Sequence, residues 1–221
     1  AIIDACNKNG VQLSIGYRMQ HEPNTRTFHQ YLETKPYGNL TAVSSFAGYA
    51  GQGRAPDNWR MKKHMGGGAL YDMGVYAING ARFLTGREPL AVTGSHPPQR
   101  FPEKFTEVDE TTLFTIDFGD GLVADCGTSV VEGFNHFKAD CEKGWYQLKP
   151  MQSYSGVTGT TSDGKTLAPI NGMQQTLQMD NDALAILTGQ QPMVTGNEGL
   201  ADIRIVNAIF KAAKTGETVA L

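Results

Sequence analysis

Apolar residues recur along this chain at two spacings, and the switch between them predicts its elements. Ile2, Ile3 and Cys6 stand at helical intervals in the opening AIIDACNKNG, with Asn9-Gly10 as the stop. Val11 to Tyr17 alternates apolar with small or polar residues and predicts a strand. Pro23 opens a helix through Phe28, Tyr31 and Leu32 that ends near Lys35-Pro36. Leu40 to Tyr49 predicts a strand and Gly51 to Asp57 a loop rich in Gly and Pro. Ala69 to Leu84 is the clearest helix, closed by Thr85-Gly86 with Pro89 just beyond. Strands are predicted over Ala91 to Ser95, Thr111 to Phe118, Leu122 to Val131, Asn135 to Cys141 and Trp145 to Met151, joined by Gly-Asp-Gly, Glu-Gly and Lys-Gly turns. Two helices close the chain, one over Met173 to Leu187 and one after Thr195, where Thr195 and Glu198 have capping-box spacing. Helices and strands are segregated, which predicts an α+β domain: an open, mostly antiparallel sheet with helices on one face.

Composition narrows the partners. The 221 residues are 40% hydrophobic and 19% charged, with net charge -3 and a pI of 6.0. That is a globular composition without a basic stripe, so nucleic acid is not expected. No apolar run approaches the roughly 18 residues of a membrane span, so no membrane partner is expected. Cys6, Cys126 and Cys141 are scattered, which suggests neither a disulfide framework nor a metal site. The chain starts inside a helix and without Met. It therefore reads as part of a longer protein, with any localisation signal outside it.

Two nucleotide-like motifs lack the context they need. Gly159 to Thr166 matches the phosphate-loop pattern, but Leu167-Ala168-Pro169 cannot start the required helix, so a polar loop with an Asp163-Gly164 turn is expected. Gly119 to Ala124 matches a weaker dinucleotide pattern, but the sequence continues as a strand and predicts a hairpin.

The chemistry concentrates in Trp59 to Gly80. On the predicted helix Asp72, Tyr76 and Asn79 stand at i, i+4 and i+7 and share a face. A carboxylate and a phenol one turn apart can share a hydroxylated substrate, and the phenol can act as general acid or base if a cation lowers its pKa. Gly66-Gly67-Gly68 just upstream permit positive φ and close backbone approach. An amphipathic boundary produces the same pair, so the segment alone does not identify an enzyme.

Trp59-Arg60, the glycine turn, Asp72-x-Gly74-x-Tyr76 and Arg82-Phe83-Leu84-Thr85-Gly86 together resemble the Gfo/Idh/MocA oxidoreductase family, glucose-fructose oxidoreductase type. Ile15-Gly16-Tyr17-Arg18 with His21-Glu22-Pro23, Lys143-Gly144-Trp145-Tyr146 and the Asp202 to Gly216 helix fit the same pattern. The resemblance implies that Tyr76 is the general acid/base for a sugar hydroxyl; many members carry His there. It implies that Asp72 orients the sugar, and that Arg18, Trp59 and Arg60 lie near cofactor or substrate. The cofactor implied is NAD or NADP, bound mainly by an N-terminal domain that would precede Ala1, together with its catalytic Glu-Lys-Pro segment. Residues 1–16 then belong with that domain, and 17–221 form the substrate-binding, catalytic and oligomerisation domain.

The function expected is that of an NAD(P)-dependent oxidoreductase acting on a sugar or polyol, inactive as this chain alone and assembling as a homo-oligomer through its sheet face. Three alternatives stay open. One is a carbohydrate-binding module using Tyr71, Tyr76, Trp59 and Trp145 as stacking platforms. The others are an assembly scaffold and an NAD-dependent glycoside hydrolase. A carboxylate-pair hydrolase is disfavoured, since no second acid is clearly placed opposite Asp72. The resemblance is compatible with either cytoplasm or periplasm.

Overall fold

In the computed structural model, which describes residues 1–50, 55, 57–170 and 172–221, the expected architecture is present. Nine strands form one sheet: β1 (Leu40–Gly48), β2 (Ala91–Ser95), β3 (Thr111–Asp117), β4 (Val123–Ser129), β5 (Asn135–Cys141), β6 (Gly144–Leu148), β7 (Gly159–Thr161), β8 (Thr166–Leu167) and β9 (Val219–Ala220). Their order is β8-β7-β6-β5-β1-β4-β3-β2-β9. Among the described residues, every strand pairing is antiparallel except β1 with β4.

Alternation decides which face is covered. Val43, Ser45 and Ala47 of β1, Phe114 and Ile116 of β3, and Phe137 and Ala139 of β5 are buried against the helices. Residues between them, such as Leu113 and Asp140, point to the open face. The helical layer comprises α2 (Pro23–Thr34), α3 (Val75–Thr85) and α5 (Gly196–Thr215). Phe28, Ile78, Leu84, Ile116, Phe137, Leu148 and Ile209 fill the space between layers. Helix α5 lies so close to β2 that a Cβ on Gly94 would stand 2.7 Å from the Ile209 carbonyl oxygen, so only glycine serves there. Helices α1 (Ile2–Lys8) and α4 (Gln174–Thr188) lie outside this layer. None of the α1 residues is buried, and α4 exposes Met179, Ile186 and Leu187.

Several expectations need correction. Val11 to Tyr17 is not a strand: among the described residues it makes one bridge, Ser14 to Thr195, with the Ile15 N–H on the Val194 carbonyl at 3.0 Å, because the neighbouring segment turns into α5 at Gly196. Thr195 makes no side-chain cap to α5: the Glu198 N–H bonds the Thr195 carbonyl at 3.1 Å, and the Glu198 carboxylate is drawn to Arg82 and Asn79. The helix predicted from Ala69 begins as a π-helical turn, Leu70–Gly74, before α3. A Cβ on Gly74 would meet the Leu70 side chain at 2.6 Å and the Thr128 methyl at 3.2 Å, so the widened turn seats on β4. The predicted loop at Gly51 to Asp57 lies largely outside the described residues. Both nucleotide-like motifs are hairpin structure: Gly119–Asp120–Gly121 turns β3 into β4 with positive φ throughout, and Gly159 to Leu167 is β7, a turn and β8.

A buried polar cluster ties the helical layer to the 3-10 turn Arg18–His21. Arg82 donates to Asp202 at 2.6 Å, to Glu198 at 3.1 Å and to Glu88 at 2.7 Å. Asn79 donates to Asp202 at 3.0 Å and accepts from Gln20 at 2.9 Å. Next in that turn, His21 is buried, and its Nε2 has no hydrogen-bond partner. Burial pushes its imidazole below the ordinary 6.5, with Asp182 opposing and Arg26 reinforcing. The unfolded chain therefore binds the His21 proton first as pH falls, so stability present above 6.5 is lost below it. Urea denaturation from pH 7 to pH 5 should show this loss, and His21→Gln should flatten that slope; an unchanged slope would show that His21 is not a buried neutral group.

Candidate active site at the loop-bearing end of the sheet

The register places the ends of β1, β4 and β6 and the starts of β3 and β5 at one edge, so residues 49–50, 57–69, 96–110, 130–134 and 149–158 gather there. Met61, Ala69, Phe105, Val130 and Val131 form a small apolar cluster beneath them. The start of the π-helical turn is held from outside. Asp109 accepts from the Leu70 backbone N–H at 2.8 Å and from Thr112 at 2.7 Å. Its other oxygen is buried and unpartnered, and burial raises its pKa above the ordinary 3.8. The three glycines act as expected. Gly66 and Gly68 have φ of +74° and +104°, and Gly67 packs directly on the Arg60 carbonyl, where a Cβ would collide. The Gly68 N–H donates to that carbonyl at 2.9 Å.

This packing delivers Arg60 to Asp72. Arg60 Nε donates to both carboxylate oxygens at 2.9 Å, and the Tyr49 hydroxyl donates to Oδ2 at 2.8 Å. Trp59 lies with the Arg60 guanidinium 4.2 Å from its ring centroid and stays 39% exposed. Tyr76, one turn further, is half-buried and meets Tyr17 edge-on, with centroids 6.0 Å apart. Burial pushes the Tyr76 hydroxyl above its ordinary 10.0; Arg18 opposes this most, Arg60 less, while Tyr154 and Asp72 add to it. Asp72, Arg60, Tyr76 and Arg18 thus form one electrostatic unit.

Arg18 is spoken for by the protein. Its guanidinium donates to the Gln152 and Ser153 carbonyls at 2.6 and 3.0 Å and to Gln174 at 2.6 Å. It supports the 149–158 loop and lies against Tyr76 electrostatically. Asn79 does not join Asp72 and Tyr76: it is fully buried in the Arg82–Asp202 cluster, behind Tyr17. Nor do the four aromatic residues considered as platforms share one surface. Tyr71 packs on Phe210 and bonds Asn207, while Trp145 alternates with buried Tyr146 and so faces the open side of the sheet.

Tyr49, Tyr154 and Asp109 carry no local pattern in the sequence and meet the site from distant segments, while Tyr17 belongs to the Ile15-Gly16-Tyr17-Arg18 motif without a role of its own there. Two cavities flank the site without containing it. One of about 300 Å³ is lined by Glu22, Ser155, Gly156 and Gln174, and one of about 670 Å³ by Lys63, Tyr71, His96 and Phe210.

The open antiparallel sheet with a one-sided helical layer, carrying a tyrosine and an arginine-held aspartate at its loop-bearing end, defines an α+β domain of the kind expected from the sequence. The model of the GFO/IDH/MocA C-terminal domain matches residues 25–147, more than half of the chain, and the chain belongs to that family. It is 28% identical to a D-xylose 1-dehydrogenase [NADP(+)] of Haloarcula marismortui, across all of this chain and 63% of that enzyme. It is 22% identical to D-xylose 1-dehydrogenase (NADP(+)) 2 of Haloferax volcanii, across 68% of it. The aldose-aldose oxidoreductase from Caulobacter crescentus, solved with glycerol, superposes with a TM-score of 0.91 at 32% identity, over 99% of this chain and 67% of that one. The chain thus spans about two thirds of these relatives.

The Tyr76 environment is directly measurable. With 13Cζ-labelled tyrosine, Tyr76 should titrate above 10.0, and Arg18→Met should move it higher still, while Arg18→Lys should hold it near the unsubstituted position. A titration indifferent to Arg18 would separate the two groups.

Proposed function

We propose that this chain is the substrate side of an NAD(P)-dependent oxidoreductase for a sugar or polyol. The observation that carries the reading is the Arg60–Asp72 pair set beside half-buried Tyr76 on a family scaffold. Residues 17–221 form the substrate domain, and 1–16 go with a nucleotide-binding domain. In support, α1 buries none of its residues and α4 turns Met179, Ile186 and Leu187 outward, an apolar surface suited to a neighbouring domain.

A bound nicotinamide supplies the hydride acceptor. This chain's part is to take the hydroxyl proton onto Tyr76 Oη in its ionised form, which leaves the neutral phenol, and to hold neighbouring hydroxyls on Asp72. Arg60 and Tyr49 fix the orientation of the carboxylate, so its remaining acceptor capacity is directed at substrate. The exposed Trp59 indole, fixed on Arg60, is a flat wall that suits a nicotinamide or sugar ring. Arg18 contributes charge rather than a direct contact, because its donors are already engaged. Tyr76 is a neutral phenol at pH 7 in these surroundings, so a further cation from outside this chain is needed to make it an efficient base. By itself the chain is inactive.

The test is the longer protein, with a nucleotide-binding domain upstream, assayed for nicotinamide reduction across aldoses and polyols. Tyr76→Phe should lower kcat about 100-fold or more. No reduction with any sugar, or an unaffected variant, would return Tyr76 to a packing role.

Assembly through the open sheet face belongs to the same reading. That face carries Leu113 and the stacked Phe46–His136 pair, whose ring centroids are 5.0 Å apart. Leu113→Glu should convert oligomer to monomer in light scattering without disturbing the far-UV spectrum; an unaltered mass would exclude this face.

A further inference from the structure

We propose that Tyr154 is a substrate-contact residue that selects cyclic sugars over open-chain polyols, an inference that rests on the reading of Asp72 and Tyr76 as the sugar-handling pair. Tyr154 is 71% exposed, on a loop that gathers at the candidate site. Most exposed tyrosines are free to reorient, but this one is held. The Arg18 guanidinium lies 4.3 Å from its ring centroid, and Arg18 is itself only 7% exposed. The same guanidinium is bonded to the carbonyls of Gln152 and Ser153, the two residues leading into Tyr154. Gln174 completes the support, accepting from Arg18 at 2.6 Å and donating to the Ser153 carbonyl at 2.9 Å. One side of the ring is therefore occupied by a fixed cation, while most of its surface remains open to solvent. Much of the ordering cost of a stacking surface is met before any ligand arrives.

The surface is next to the chemistry. Tyr17, the residue adjoining Arg18, meets the Tyr76 ring edge-on with centroids 6.0 Å apart, and the charge of Arg18 bears on the Tyr76 hydroxyl. The arrangement repeats on the Asp72 side, where Trp59 lies over Arg60 and Arg60 grips the carboxylate. Two arginine-backed aromatic rings thus accompany the two polar groups. A pyranose presents a flat face of C–H bonds with hydroxyls at its rim, so it can rest on an aromatic ring while its rim reaches a carboxylate and a phenol. An open-chain polyol has no such face and gains little from the ring. Tyr154 touches the apolar face of the substrate, and Asp72 and Tyr76 its edge.

The experiment uses the longer protein with its nucleotide-binding domain, with D-xylose as the cyclic probe and sorbitol as the open-chain one. Tyr154→Ala should raise KM for D-xylose about tenfold, leave kcat and the cofactor KM within about twofold, and leave the sorbitol KM in place; Tyr154→Phe should behave as the unsubstituted protein. An unmoved D-xylose KM, an equal loss for sorbitol, or a rise confined to the cofactor KM overturns the proposal. If the protein oxidises no sugar, the functional reading falls alone, and saturation-transfer NMR with D-xylose still decides Tyr154. Ring-proton signal lost in Tyr154→Ala sustains it; signal retained, or none with the unsubstituted protein, overturns it.

Discussion

The buried ion pair between Arg82 and Asp202 is the constraint on which the site's geometry rests. Asp202 is fully buried on α5 and Arg82 nearly so on α3, and their charge-assisted contact is 2.6 Å. Burial drives the Asp202 carboxyl up to about 6, while Arg82, Tyr17 and Asn79 pull it back; against its own burial, Arg82 is held protonated by Glu88, Asp202 and Glu198. Both groups are therefore charged at neutral pH. Removing one partner of such a pair typically costs about 3–5 kcal/mol, because it strands a buried charge. Its role reaches beyond stability. Asn79 and Gln20 extend the cluster to the 3-10 turn, and the neighbours of Gln20 in that turn include Arg18 and, just before it, Tyr17. The position of everything packed against Tyr76 from that side is set from behind by this pair.

Around the site itself, charge and aromatic surface are arranged in matched units. Arg60 serves Asp72 on one side and Trp59 on another, and Arg18 serves the 149–158 loop and Tyr154. A guanidinium is suited to this double duty, since its edge donates hydrogen bonds while its face stacks. Lysine could carry the charge but not the geometry. The positive charge that bears most on Tyr76 is thus structural first, and its electrostatic effect on the phenol follows from where the loop needed an anchor.

Much of the fold was legible in the chain, and the reasons differ by element. β2 and β5 were readable to the residue, because clean alternation on a sheet with one covered face leaves little freedom of register. Val11 to Tyr17 alternates just as well and is not a strand, since alternation says nothing about whether a partner is present. Thr195 and Glu198 have the spacing of a cap, but Arg82 offers Glu198 a stronger partner than a backbone N–H. Asp72 and Tyr76 stood out through a spacing that the family pattern made meaningful. Tyr49, Asp109 and Asp202 did not, because their roles are defined by contacts between segments far apart in the chain. Asn79 looked like a third member by helical phase; its side chain instead lies in the interior.

The lone parallel pairing, β1 with β4, has a consequence for how the molecule assembles. Strands β2 to β4 form one run of sequence-adjacent antiparallel neighbours, and β5 to β8 form another. Between the two runs lies β1, contributed from much earlier in the chain and paired to both. The two meanders can each form from local contacts, but the continuous sheet exists only once β1 has been threaded into the seam, against the entropy of the long loops that this closes. Until then β4 and β5 both present bare edges, so the slow, aggregation-exposed stage of folding is expected at the middle of this sheet rather than at its rims.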